Sequence, residues 1–357
     1  MIRKGIVNLP LHTGKVPSWL FEKMKELAQK IVYIIVIEFG KEELLKRLSD
    51  PWWFQSFGCV LGFDWHSSGL TTTVCGALKE ALKELSGELK IYVCGGKGKT
   101  SLKTPQEIDL ISQKLGIEAQ DLIYASKITA KIDNSCLQDG YTLYHHTFIF
   151  TEDKKWCVIQ QGMDKENFAR RYHWISLNLE SFVCEPHAGI ITDKTAKGLN
   201  LVASECEELR KTLPQISAQN PFKTIKEIER LKEMKLPSRH KILLEDINPK
   251  NLEKILLKTY LSPPKDFEEL ISKERVGPKT LRALALVSEI IYGTPLSFKD
   301  PAKFSFAHGG KDKTPYPIDK SLYQTSINIL ETAIKKAKLG YTDKLKALRR
   351  LYNFYQK

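Results

Sequence analysis

The sequence predicts an α+β N-terminal domain, an antiparallel sheet with helices, over residues 1–217, followed by a basic all-α domain over residues 218–357. The sheet is announced by YTLYHHTFIF (141–150) and WCVIQQG (156–162), two runs rich in β-branched and aromatic residues around the polar turn TEDKK. The boundary near 218 follows from a change of texture: SAQNPFK reads as a linker, and the chain beyond it is Lys-rich and patterned for helices. The charge divides at the same place. Residues 1–220 carry 27 Lys/Arg against 26 Asp/Glu, whereas residues 221–357 carry 28 against 16, so almost all of the net +13 lies in the second part.

Along the chain, residues 18–49 read as mostly helical, with the β-branched run IVYIIVI at 31–37 equally compatible with a buried strand. TTTVCGALKEALKEL (71–85) starts with threonines and sets Val74, Leu78, Ala81, Leu82 and Leu85 on one face, so a helix is expected, ending at Ser86-Gly87. LKIYVC (89–94) then reads as a strand entering the glycine loop GGKGK. Thr104-Pro105-Gln106-Glu107 has the composition of a capping box with proline at the first helical position, which places a helix from 105 to about 115. If residues 152–155 form the turn of the hairpin, 151 faces 156, His146 faces Gln161 and Thr147 faces Gln160. The last stretch, from Ser321, reads as two helices broken at Gly340.

A helix-hairpin-helix motif sets a tight glycine turn between two short helices so that backbone N–H groups of the second helix face a DNA phosphate. FEELISKERVGPKTLRALAL resembles that motif, with residues 266–290 as its extent. Phe267, Leu270 and Ile271 would face inward from the first helix, and Leu281, Leu284 and Ala285 from the second. Arg275 stands where the family usually has a further glycine. The resemblance implies DNA-backbone contacts from Val276, Gly277, Pro278, Lys279, Thr280 and Arg282. In strand-cleaving glycosylases of that group a lysine after the hairpin glycine forms a Schiff base with the sugar, assisted by an aspartate about 20 residues on; Lys279 and Asp300 occupy such positions here.

The front half offers further chemistry. In GFDWHSSGLTTT, Asp64 and His66 are spaced to ligate a divalent metal or to pair as a base and its orienter, and the following serines can cap a helix. His146 with Gln160 could complete a metal-assisted hydrolytic site, with Mg or Mn as the ion and Asp64, His66 and His146 as ligands. Two glycine-lysine loops, CGGKGKTS with Lys97 and Lys99 and FAHGGKDK with Gly309, Gly310 and Lys311, suit phosphate contact, although neither completes a Walker loop.

Other classes lose ground. Seven dispersed cysteines without a C-x-x-C pair argue against a zinc motif or a disulfide framework and for a reducing, cytoplasmic setting. The N-terminus lacks the apolar core of a signal peptide, and the longest apolar run is too short for a bilayer. A basic second half favours a polyanionic partner, nucleic acid ahead of membrane.

The strings LPLHTGKVPSWLF, LSDPWWFQSFGCVLGFDWHSSGLTTTV, CGGKGKTSLKTP, HHTFIF, VIQQGM, RRYHW and FAHGGKDKTPYPID together resemble the prokaryotic family known as domain of unknown function 763, over nearly the whole chain. That resemblance implies a protein of archaea and heat-loving bacteria and carries no established activity. The residues themselves point to DNA processing: a metal-assisted nuclease or strand-cleaving repair protein, a glycosylase/lyase built on Lys279 and Asp300, or a DNA-binding module without chemistry.

Overall fold

In the computed structural model of the chain, residues 16–63, 69–192, 197–233, 248–302, 304–305, 328, 330–337 and 340–355 are described. The architecture is α+β. Strands β1 (Ile91–Lys97), β3 (Thr142–Thr151), β4 (Trp156–Met163), β5 (Ala169–Ile175) and β6 (Gly189–Thr192) form an antiparallel sheet in that order, and the short β8 (Phe304–Ser305) adds to β6 in parallel. A separate two-stranded ladder joins β2 (Leu137–Gln138) to β7 (Leu199–Asn200). Both faces of the large sheet are covered, which explains why β3 and β4 read as nearly continuous apolar runs and do not alternate with polar residues.

Four helices build one cover. In α1 (Ser18–Phe39), Met24, Leu27, Ala28, Ile31, Val32 and Ile35 are buried at helical spacing. The β-branched run at 31–37 is therefore helix, because its apolar residues continue that stripe onto α4 and tertiary burial outweighs a small propensity deficit. After α2 (Lys41–Ser49), α3 (Pro51–Leu61) is started by Asp50, whose Oδ1 accepts from the N–H groups of Trp52 (2.8 Å) and Trp53 (3.2 Å), with proline at the first position. Helix α4 (Gly69–Leu89) runs through Ser86-Gly87, where the sequence suggested a stop. Buried Leu89 holds the extra turn, and Lys90 ends it with φ +54°. These helices pack with Ile91, Val93, Ile149, Cys157 and Ile159 of the sheet.

On the opposite face lie α5 (Thr104–Leu115) and α6 (Gln120–Ser135), against Tyr92, Phe148, Phe150, Val158, Tyr172 and Trp174. The expected capping box at 104–107 does not form. A 3₁₀ turn at Gly98–Lys103 precedes α5, Thr104 Oγ1 donates to the Ser101 carbonyl (2.7 Å), and Glu107 accepts from the Gly95 N–H (2.8 Å) and pairs with Lys79 (2.6 Å). The glutamate is drawn to a strand amide and a lysine and does not turn back on its own helix. The hairpin forms with a register one residue from that expected: Phe150 faces Trp156, and His146 faces Gln160. Thr151 closes the turn by donating to the Lys155 carbonyl (2.9 Å), and Lys154 takes φ +61°.

Helices α7 (Glu207–Ser217), α8 (Pro221–Glu233), α9 (Pro249–Leu261), α10 (Phe267–Ser272) and α11 (Pro278–Tyr292) pack outside α6. Side chains from both sides of residue 218, among them Leu209, Leu213, Ile228, Leu256, Leu270 and Leu284, share one apolar cluster with the sheet. The second part is not wholly helical, since β8 extends the front sheet. A helical stretch at 330–336 and α12 (Tyr341–Tyr355) return to the α1–α4 side, where Leu330, Ala333, Ile334, Ala347 and Leu351 are buried. No helix among the described residues is long and apolar enough to cross a membrane.

Arg170 ties the late segment to the sheet. Its guanidinium is fully buried, forms a two-point pair with Asp300 (3.0 and 2.7 Å), bonds Asp139 (2.8 Å) and lies over the Tyr141 ring. Tyr172 also donates to Asp139 (2.9 Å). Replacing Arg170 by Met strands two shielded carboxylates, and a loss of about 3–5 kcal/mol in urea unfolding is expected. An unchanged unfolding midpoint would show that the pair does not anchor the late segment.

Candidate functional site

Three doublets in the sequence, His145-His146, Gln160-Gln161 and Arg170-Arg171, lie on adjacent strands. Successive side chains of a strand point to opposite faces, so each doublet delivers one polar group to each side of the sheet. The register lines up Gly96, His146, Gln160, Tyr172 and Ile190 across the α6 face, and Lys97, His145, Gln161, Arg171 and Ile191 across the α4 face. Two polar rows thus stand back to back inside an otherwise apolar sandwich.

On the α6 face the row becomes a continuous network. Ser126 Oγ lies 2.9 Å from His146 Nε2, His146 Nδ1 lies 2.8 Å from Gln160 Oε1, and Gln160 Nε2 donates to Asp133 Oδ2 at 2.6 Å. Because the Gln160 nitrogen serves the carboxylate, its oxygen must accept, so His146 carries its proton on Nδ1 and accepts from Ser126 through Nε2. Asp133 also receives Trp174 Nε1 (3.0 Å), and its second oxygen receives His187 Nε2 (2.6 Å). Burial pushes the Asp133 carboxyl above its usual range, opposed by His187 and the Trp174 bond. His187 packs on Trp174 with ring centroids 4.4 Å apart and borders a cavity of about 10 Å³, shared with Glu185, Gly189, Asn200 and Pro301. That is room for one water molecule or one hydroxyl group.

The α4 face is organised around Arg171. Its Nε donates to His173 Nε2 (2.8 Å), its terminal nitrogens bond Gln55 (2.9 Å) and Thr71 (3.3 Å), and the group lies over Phe54. His173 Nδ1 therefore donates to the Leu48 carbonyl (3.1 Å), which fixes the neutral tautomer. His145 bonds Thr147 through Nε2 (2.9 Å), and its Nδ1 has no hydrogen-bond partner among the described residues.

Asp64 and His66, expected to ligate a metal with His146, lie outside the described residues. The histidine on the α4 face of the sheet is His145. Both ring nitrogens of His146 are engaged, so it does not fit the third ligand position. No group of three metal-ligating side chains occurs among the described residues. His146 and Gln160 lie side by side as members of the buried network. Asp133 and His187 were not anticipated. The signal for Asp133 was present: the buried stripe of α6 runs Leu122, Ala125, Ser126, Thr129, Ile132, Asp133, and a carboxylate on an apolar stripe demands a partner. His187 sits in an irregular segment with no periodicity to mark it.

The glycine loop serves the sheet more than a ligand. Gly95 takes φ +87°, its N–H is spent on Glu107, and a Cβ there would lie 2.2 Å from the His146 carbonyl oxygen. Lys97 and Lys99 remain exposed, Lys97 near the Tyr144 ring. Gly309, Gly310 and Lys311 lie outside the described residues.

Residues 266–290 form two helices around a tight turn. Asp266 caps α10 through the Glu269 N–H (2.7 Å), Val276 is fully buried, and Arg275 takes φ +63°, the conformation a glycine would supply without strain. Gly277 precedes α11, whose first turn leaves Lys279 exposed while Thr280 is buried. The hairpin is fastened to α6 and β2: Tyr124 donates to Glu268 (2.6 Å), Lys131 to the Lys273 carbonyl (3.2 Å), and Gln138 bonds both the Pro278 carbonyl (2.9 Å) and Arg282 (2.7 Å). Lys279 is thus placed outward, while Asp300 is held by Arg170 on the sheet.

The buried histidines set an acid limit on stability. Burial lowers His145 to about 3 and His146 to about 4, and puts His173 well below the usual value. Since the unfolded chain takes up these protons first, their stabilising contribution is complete above pH 6.5 and is lost as pH falls from there toward 4. Urea unfolding should weaken by about 2 kcal/mol per buried histidine between pH 7 and pH 5. His146→Gln should remove its share of that slope; an unaltered slope would mean that His146 is not held neutral.

No curated protein and no solved structure matches this chain. Residues 5–318 match the model of a family described as protein of unknown function (DUF763). That match covers most of the chain, the strings FDWHSSG, GGKGKT, HHTFIF, IQQGM and RRYHW included, and the chain belongs to that family.

Proposed function

We propose that this chain grips the phosphate backbone of nucleic acid, DNA in the first instance, through the turn at residues 273–277 and the start of α11, and that it serves DNA processing from that hold. The observation that carries this reading is the hairpin turn with Arg275 at φ +63° and Val276 sealed beneath it, after which Lys279 is exposed in the first turn of α11. The excess of Lys and Arg in the second part supplies the long-range attraction that such a hold uses. In this reading the helical part from 218 onward is the binding domain and the sheet carries any chemistry.

Of the two strand-cleaving routes, the one through Lys279 and Asp300 loses support because the Asp300 carboxylate is committed to Arg170. The metal-assisted route rests on Asp64 and His66, and His146 is not a fitting third ligand. Backbone binding is therefore the primary reading, with cleavage as its open extension.

DNA binding should weaken linearly in log–log form with salt. Lys279→Ala should lower affinity several-fold on every sequence and flatten the salt slope by about 0.9, the value for one phosphate contact. Binding that survives with the same slope in Lys279→Ala would remove the hairpin from the interface. No binding to any nucleic acid at low salt would overturn the proposal. Incubation with abasic DNA and borohydride, and with plain DNA in the presence of Mg²⁺ or Mn²⁺, separates the cleavage routes: covalent trapping lost in Lys279→Ala revives the lyase, and metal-dependent fragments revive the nuclease.

A further inference from the structure

The cavity beside His187 lies close to the hairpin. Asn200, which lines it, pairs with Leu137 in the β2–β7 ladder, and the next residue, Gln138, bonds the Pro278 carbonyl and Arg282 at the start of α11. One strand spacing and one glutamine side chain separate the two places, a distance on the order of 10–15 Å. A stacked nucleic-acid strand covers that span in about three or four nucleotides. Both lie on the α6 face of the sheet.

His187 has the arrangement of an oriented base. Its Nε2 donates to Asp133 Oδ1 at 2.6 Å, and Asp133 is itself immobilised by Gln160 and Trp174. The Trp174 ring braces the imidazole from the side. With the proton fixed on Nε2, the Nδ1 lone pair is the basic atom, and Nδ1 has no hydrogen-bond partner among the described residues. The adjoining cavity admits one oxygen atom. In a nucleic-acid strand, the hydroxyl that a single imidazole can activate is the ribose 2′-OH, which DNA lacks.

We propose that His187, positioned by Asp133, is the general base of a ribonucleolytic centre acting on an RNA strand held at the hairpin, an inference that rests on the backbone-binding reading. His187 Nδ1 takes the proton of a 2′-OH as O2′ bonds to the adjacent phosphorus and the P–O5′ bond breaks. The departing O5′ takes a proton from solvent, and the imidazolium returns its proton to solvent. The products are a 2′,3′-cyclic phosphate and a 5′-hydroxyl. Asp133 acts as a positioning residue, holding the tautomer that leaves Nδ1 free.

The test uses the full chain with single-stranded RNA and DNA of the same sequence, in chelator, scoring both binding and end groups. RNA fragments ending in cyclic phosphate are expected, with DNA bound but intact. His187→Gln should cut the turnover number roughly 10²- to 10⁴-fold, the range for losing a positioned base, with binding unchanged. Asp133→Asn should lower turnover and leave KM unchanged, and the melting temperature of each variant checks that it folds. Lys279→Ala should act the other way, raising KM and sparing turnover. RNA that binds but stays whole, or cleavage undiminished in His187→Gln, overturns the His187 assignment and leaves the hairpin reading standing. Cleavage with KM unaltered in Lys279→Ala overturns the hairpin reading and leaves His187 standing; absence of both binding and cleavage overturns both.

Discussion

A carboxylate with no exposed surface, Asp133, is the constraint around which the α6 face is arranged. An isolated charge in such a place costs several kcal/mol even after relaxation, so the fold has to bring donors to it. It does so from three directions: Gln160 from β4, Trp174 from β5 and His187 from the irregular segment before β6. Each donor in turn needs its own orientation. Gln160 is oriented by His146, His146 by Ser126, and Ser126 returns the chain of bonds to the same helix as Asp133. Moving α6 relative to the sheet would break several of these bonds at once, which makes the network a position lock as well as a source of polarity.

The other side of α6 explains how that lock bears on the hairpin. Tyr124 and Lys131 reach the α10 side of the turn, and Gln138, just beyond the helix, holds the α11 side. One helix therefore references both the buried network and the turn that presents Lys279. The Arg170 pair with Asp139 and Asp300 repeats the principle on a smaller scale, with a buried guanidinium connecting the strand, the loop after β2 and the segment after α11. The apolar cluster shared across residue 218 fills the space between these polar fastenings.

Elements with strong, local periodicity are legible in the sequence. The hairpin strands, the stripe of α4 and the two helices around VGPKT follow from spacing alone, and Arg275 marked the position where a glycine-like conformation is in fact adopted. Spacing does not carry the outcome where a distant partner decides. Glu107 has capping-box spacing but is drawn to Gly95 and Lys79 across the fold. The 31–37 run, which its residues leave open between helix and strand, is helical because α4 offers it a partner surface. The hairpin register moved by one residue because the turn closes through Thr151 and Lys155, and that single step set His146 opposite Gln160.

What the sequence determined by itself is the α+β class, the concentration of positive charge after residue 220, and the polar doublets His145-His146 and Gln160-Gln161 on the two strands of the hairpin. Those properties belong to composition and to the two-residue period of a strand, which need no knowledge of neighbours. Only the tertiary structure decided what each member of a doublet does. His145 and His146 are adjacent in the chain, yet the sheet sends one to the α4 side and the other to Asp133's network. His187 acquires its role solely because the segment before β6 folds back to a carboxylate 54 residues earlier. Such a pairing leaves no trace in spacing, since a contact made by packing can join positions at any separation along the chain.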